Sequence, residues 1–347
     1  MIAALFSSPG RRGGLKRLER RGAAVLGLVV VLAVALALGA DRAGAPVLIE
    51  IPAGATSPQI AELLEDNGVV GSARLFHVYV RLRRADRSLK AGVYALETNS
   101  SVGDALRRLT RGEVETVAVT IPEGFQIIDM AGRLAEITGL DSAAVVAYLR
   151  SDSLVEQLGV PGPTIEGYLF PDTYRFARGV SIGLVARTMV DRYREIWTPE
   201  RRARLEASGM TEIEVVTLAS IVQAEARQVT EMPRIAGVYH NRLRENWLLQ
   251  ADPTVLYALG GYRARLLYAA IDSVQDNPYN TYSNRGLPPG PIASPGERAI
   301  EATLSPEVHE YMFFVAQPDG FHTFTRTLGE HNVAKEDNRP ARMGPTP

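Results

Sequence analysis

Ala23 to Ala40 is an unbroken apolar run, eighteen residues without a charged or hydrogen-bonding side chain. At about 1.5 Å per residue, a helix of that length nearly crosses a hydrocarbon core about 30 Å thick. A helix satisfies its own backbone there, so the pattern predicts a single membrane span over 22–41. Beyond Asp41 the apolar positions fall into shorter, periodic groups. Val47–Ile51 reads as a strand and Ile51-Pro52-Ala53-Gly54 as a turn. A helix capped by Ser57 follows through Asn67, and Ser72 opens another carrying Leu75, Val78, Val80 and Leu82. Val93–Leu96 reads as a strand, and Val102–Leu109 as a helix closed by Gly112.

From Ile127 onward the apolar spacing is mainly helical. It predicts helices at Ile127–Ile137, Ser142–Arg150, Ser181–Trp197, Glu200–Ala207, Glu212–Arg227, Pro233–Arg244, Pro253–Leu259 and Pro295–Leu304. A long Asn-, Tyr- and Pro-rich loop spans Asn277–Gly296. Two strands, Tyr311–Ala316 and His322–Thr325, flank a Gln317-Pro318-Asp319-Gly320 turn. The fold class is therefore α+β, with a minor sheet. One internal echo stands out: Ile121-Pro122-Glu123-Gly124 repeats Ile51-Pro52-Ala53-Gly54, and at the same 70-residue offset Ser142-Ala143 repeats Ser72-Ala73. Duplication and recurrence of common turn chemistry both account for it.

Composition narrows the chemistry. The 347 residues are 46% hydrophobic and 22% charged, a folded composition long enough for two or three domains. With no cysteine, the chain has neither disulfides nor thiolate ligands nor a Cys nucleophile. Its three lysines, Lys16, Lys90 and Lys335, do not follow glycine, which excludes a Walker A loop. The near-neutral net charge of −1 argues against nucleic acid as a partner, yet it conceals an asymmetry. Residues 1–22 hold six Lys/Arg against one Glu, a local +5, leaving −6 for the remainder. The positive-inside rule keeps that basic end cytoplasmic and puts everything after Asp41 outside the cytoplasm. A cleavable signal peptide is the main rival, with Ala35-Leu36-Ala37 resembling a cleavage site, but its apolar region is normally shorter.

Three segments carry candidate chemistry. Thr211-x-x-Glu214 is a capping box, after which Leu218, Val222 and Glu225 fall on one helix face. A carboxyl continuing an apolar stripe loses hydration, which favours its protonated form and suits a general acid. The same spacing also fits a solvated or Arg-paired Glu in the last turn. The Asn277–Gly296 loop offers amides, hydroxyls and tyrosines that can bond and stack on sugars, or it wraps the helices structurally. Gly179-Val180-Ser181-Ile182-Gly183 matches a nucleophile elbow, but Arg175–Arg178 is a poor buried strand and Ser181 reads more simply as a helix cap. The five histidines show no metal-ligand spacing, so neither metal nor cofactor is expected.

Taken together, six segments resemble the endolytic murein transglycosylase (YceG-like) family. They are Ile121–Gly124, Glu166–Tyr174, Leu218–Val222, Asn241–Leu243, Leu249–Val255, and Tyr279–Tyr282 running into Gly286–Ile292. The resemblance covers roughly residues 45 to 335. It implies internal cleavage of peptidoglycan glycan strands at the MurNAc–GlcNAc bond, leaving 1,6-anhydro-MurNAc ends. It implies no cofactor, a cytoplasmic-membrane anchor, and association with peptidoglycan synthases. The family's catalytic glutamate maps onto Glu225; where members often carry Glu directly after the Ala-Ser-Ile-Val stretch, this chain has Gln223. Gln250, Tyr279, Asn280, Thr281 and Tyr282 are the expected glycan-binding residues, with Glu166, Tyr168, Asp172, Asn241 and Asp252 in support. The implied organisation is a basic stub at 1–21, the span at 22–41 and a LysM-like module at 47–118. A mainly helical catalytic domain follows at 119–335, with a flexible tail at 336–347.

Overall fold

Buried apolar side chains fall into two clusters, and the chain divides into two units around them. The computed structural model describes residues 44–261 and 267–338. The expected 22–41 span lies outside those residues, and among the described ones no helix is long and apolar enough to cross a membrane. The class is α+β and mainly helical, as expected, and the described residues form three separate two-stranded sheets, of which β3-β4 adds to the strands expected in the module and in the catalytic domain.

The first unit holds the described residues up to Thr116, with Ala177–Gly179. Strand β1 (Pro46–Ile51) pairs antiparallel with β2 (Gly92–Glu97), Ile51 opposite Gly92 and Pro46 opposite Glu97. Helices α1 (Ser57–Asp66), α2 (Ala73–Leu82) and α3 (Val102–Arg111) bury Leu64, Phe76, Val80 and Leu109 against Ile49, Tyr94 and Leu96. The start of α1 differs by one residue from expectation. Thr56 is its cap, with its N–H and hydroxyl held by Gln59 at 2.9 and 2.8 Å, while Ser57 spends its hydroxyl on Asp86 at 2.8 Å.

The second unit holds Val117–Phe176 and the described chain from Val180. Strand β3 (Thr116–Thr120) pairs with β4 (Thr173–Ala177). Helices α4 (Ile127–Thr138), α5 (Ser142–Leu149), α6 (Asp152–Leu158), α7 (Ile182–Glu195) and α8 (Pro199–Ser208) precede the central α9 (Glu212–Glu225). Then come α10 (Met232–Arg244), α11 (Asp252–Ala258), α12 (Tyr268–Asp272) and α13 (Glu297–Leu304). The hairpin β5 (Phe313–Ala316) and β6 (His322–Thr325) precedes α14 (Leu328–Asp337).

Elements β3, β4, α6, α12 and α14 are additional to those read from the sequence. Arg175–Arg178, a poor buried strand by sequence, overlaps β4 because Tyr174 and Phe176 turn inward while Arg175 stays exposed, and a two-stranded sheet needs only one buried face. Ser181 nonetheless caps α7, its hydroxyl accepting from Leu184 N–H. The 70-residue echo recurs as strand, turn, helix, helix in β1-α1-α2 and β3-α4-α5, with Gly54 and Gly124 both left-handed at φ +81° and +77°.

Helix α9 is the core of this unit. The sequence shows an apolar stripe; the fold buries every residue from Val215 through Val222. Helices α10 and α13 pack against it, and the Asn277–Gly296 loop is pinned to it by two hydrogen bonds. Ser220 Oγ accepts from Ile292 N–H at 3.0 Å, and Gln223 Oε1 accepts from Gly296 N–H at 3.0 Å. These bonds satisfy loop amides that burial would otherwise strand.

Candidate active site

The C-terminal end of α9 opens on a cavity of about 770 Å³. Glu225, the last residue of that helix, lines it together with Tyr239, Arg242, Gln250, Asp252 and Tyr282. The apolar side is formed by Leu267, Tyr268, Ile271 and the β5 residues Phe313–Ala316. His322, Leu328, His331, Asn332 and Lys335 complete it from β6 and α14. Among the described residues no His/Asp/Glu group has a metal-binding arrangement.

Glu225 sits where the buried stripe of α9 meets this space. Its Oε1 accepts from Tyr239 Oη at 3.0 Å, and Tyr239 is itself only 1% exposed. Burial pushes the Glu225 carboxyl up to about 7, with the Asp252 charge acting in the same direction. The Tyr239 hydrogen bond and the Arg242 charge oppose that rise. Arg242 is buried, its Nε donating to Met312 O at 2.8 Å and its Nη1 to Leu249 O at 2.5 Å, with the guanidinium 5.4 Å from the Phe313 ring centre. The result is a carboxyl that exchanges protons near neutrality, in a half-dry site, next to a fixed cation.

The expected glycan-binding residues divide. Gln250 lines the cavity in a left-handed conformation, φ +49°, held by its N–H donating to Thr281 O at 3.1 Å. Such backbone costs a non-glycine residue of order 1 kcal/mol, and it persists where the surroundings enforce it. Tyr282 also reaches the cavity, its Oη donating to Asp252 Oδ1 at 2.5 Å. Asn280 and Thr281 do not line it. Asn280 is fully buried, its amide donating to Ile271 O and Val274 O, and Thr281 Oγ1 accepts from Ala251 N–H at 2.9 Å. Tyr279 packs on Tyr257, ring centres 4.9 Å apart, away from the cavity lining. The middle of the loop therefore sets the backbone that presents Gln250 and Tyr282.

The supporting residues are similarly dispersed. Asp252 is in the cavity wall. Glu166 is 1% exposed, with both carboxyl oxygens 3.1 and 3.3 Å from Ile127 N–H at the start of α4. Burial pushes its carboxyl up to about 8, against that hydrogen bond and the Arg150 charge. Tyr168 is buried edge-on to Tyr193, ring centres 5.2 Å apart. Asp172 accepts from Arg192 Nε at 2.8 Å, which holds its carboxyl below the usual carboxylate range. Asn241 ties α10 to the segment before β5, donating to His309 O and Tyr311 O, both at 2.9 Å. Tyr239 and Arg242 were absent from the expected site. Their signal was their spacing, three apart on α10, which places them on one helix face.

The YceG-like family model matches residues 49–337. The chain belongs to the YceG-like family. It is 34% identical over 304 residues to the endolytic murein transglycosylase of Bacillus subtilis (strain 168), covering 83% of each chain. It is 30% identical to the enzyme of the same name from Streptococcus pneumoniae serotype 2, over 84% of this chain and 58% of that one. A crystal structure of a YceG-like protein from Listeria monocytogenes superposes with a TM-score of 0.58 at 32% identity, covering 84% of this chain and 99% of the other.

Proposed function

We propose that this YceG-like protein is an endolytic murein transglycosylase, a lyase that cuts peptidoglycan strands internally with Glu225 as its single acid–base group. Two-carboxylate glycosidases activate water on the sugar with their second carboxylate, or attack with it directly. A lyase of this kind needs neither, because the 6-hydroxyl of the MurNAc ring replaces water. Protonated Glu225 gives its proton to the glycosidic oxygen as the C1–O4 bond breaks. As carboxylate it then takes the proton of the 6-hydroxyl while O6 bonds C1, regenerating the acid and leaving a 1,6-anhydro end. The observation that carries this reading is Glu225 at the end of a buried helix, lining the cavity with Oε1 held by Tyr239 Oη at 3.0 Å, where burial raises its carboxyl.

Gln250 and Tyr282 act as glycan-positioning groups, and Arg242 and Asp252 set the electrostatics around Glu225. Tyr279, Asn280 and Thr281 contribute by fixing the loop. Residues 47–118 serve as a LysM-like module, and a span at 22–41 holds the enzyme on the outer side of the cytoplasmic membrane, near peptidoglycan synthases. The +5 charge of residues 1–22 supports that topology.

Mass spectrometry of glycan released from purified sacculi tests the chemistry. Anhydro-ended fragments are expected from the wild type and none from Glu225→Gln. Reducing ends would instead assign hydrolysis. Retained activity in Glu225→Gln would remove that residue from the mechanism.

A further inference from the structure

His322, on the wall of the same cavity, is the imidazole of a carboxylate–imidazole pair with Glu231 behind it. Glu231 ends the short 3-10 turn Val229–Glu231 between α9 and α10, and His322 opens β6. His322 N–H donates to Glu231 Oε1 at 3.1 Å, and Nδ1 lies 2.9 Å from Oε2. The side chains are 4% exposed for His322 and 9% for Glu231. A carboxylate only accepts, so the second contact requires the proton on Nδ1. In a ring protonated on Nδ1 alone, Nε2 keeps its lone pair, and it makes no hydrogen bond among the described residues. His322 lines the cavity that holds Glu225.

Ring packing connects the pair to the acid. Tyr239, whose hydroxyl donates to Glu225, meets Phe314 edge-on at 5.8 Å, and Phe314 meets the His322 ring at 5.3 Å and 90°. Anchoring β6 would require only the backbone N–H bond to Glu231. The second bond to a desolvated carboxylate does something more, because it selects one imidazole tautomer.

We propose that His322 is a glycan-binding residue whose Nε2 accepts a hydrogen bond from a hydroxyl of the saccharide that Glu225 cleaves. Glu231 is a positioning residue acting through it. The inference rests on the reading of this cavity as the glycan site.

Glu231→Gln separates the tautomer from the packing. Its carbonyl oxygen still accepts from His322 N–H, but its amide donates to Nδ1, which drives the proton to Nε2 and turns the acceptor into a donor. His322→Asn keeps an amide donor for Glu231 and leaves no atom at the Nε2 position. We expect ¹⁵N NMR of the full chain to show His322 protonated on Nδ1 in the wild type and on Nε2 in Glu231→Gln. With soluble uncrosslinked glycan strands, kcat/KM should fall about tenfold in each variant, the scale of one lost hydrogen bond. A merely structural pair would lower melting temperature and leave kcat/KM of the folded enzyme unchanged.

Undiminished kcat/KM in folded His322→Asn overturns the proposal, as does a swapped tautomer in Glu231→Gln without loss of rate. If Glu231→Gln does not fold, His322→Asn decides alone. An inactive Glu225→Gln beside fully active Glu231 and His322 variants sinks only this inference; an active Glu225→Gln sinks the site reading beneath it.

Discussion

Glu225, half-buried, and Glu166, only 1% exposed, are two glutamates whose surroundings raise their carboxyls to about 7 and about 8. Both owe the rise chiefly to lost hydration, yet their situations differ. Glu225 ends a buried helix at the mouth of a cavity and is bonded by a tyrosine hydroxyl. Glu166 is sealed against the first N–H of α4, with no place in that cavity's lining. A shifted proton affinity therefore marks burial, and access decides whether burial becomes chemistry.

The contrast is sharpest in Glu225→Gln. Removing a general acid typically costs 10²–10⁴-fold in rate, so anhydro-end release should fall by about that factor with the melting temperature nearly unchanged. A large loss of stability instead would make Glu225 a structural group.

Glu166 gives the complementary result. Its folded carboxyl, near 8, lies above the unfolded value near 4.5. The protonated group's contribution to stability is thus fully present below about 4.5 and is lost as pH rises through about 8. Glu166→Gln, which still accepts from Ile127 N–H, should remove this dependence, measurable as denaturant midpoints at pH 5 and pH 9. Relative to the wild type, the variant should gain on the order of a few kcal/mol between those pH values. Equal pH dependence in both proteins would mean that Glu166 is ionised in the fold.

Tyr239→Phe probes the bond that sets the two glutamates apart. The hydroxyl favours the Glu225 carboxylate, so its loss should raise the proton affinity of Glu225 further. The alkaline limb of the rate profile should then move to higher pH, and an unmoved limb would detach Tyr239 from the acid. The smallest effect belongs to Gln250→Gly. Relief of the left-handed backbone should stabilise the fold by about 1 kcal/mol while activity drops several-fold through loss of the cavity amide. Unchanged activity in that variant would remove Gln250 from glycan binding.

Legibility in the sequence followed the range of the interactions. The caps of α2, α3, α7 and α9 involve residues three or four apart, so Ser72, Ser101, Ser181 and Thr211 mark helix starts in the chain itself. Helix α14 carries the same kind of signal, a capping box of Thr327 and Glu330, in a polar stretch that lacks apolar periodicity. Strands β3 and β4 were harder, because each is short and its pairing joins residues more than fifty apart. In the Asn277–Gly296 loop the residue types suggested sugar contacts throughout. Asn280 and Thr281 instead satisfy buried backbone groups, a need that arises only once α11 and α12 pack beside them.

Local rules thus determined the helical periodicity, the capping box that starts α9, and the position of Glu225 at the end of its apolar stripe. The family segments added which carboxyl to examine. Tertiary structure decided what surrounds that carboxyl: Tyr239, Arg242, Asp252 and the backbone of Gln250. It also decided that His322 stands beside Glu231. The physical reason is desolvation. Proton affinity, tautomer and the tolerance of a left-handed residue depend on which distant groups exclude water, and no spacing along one chain segment contains that information.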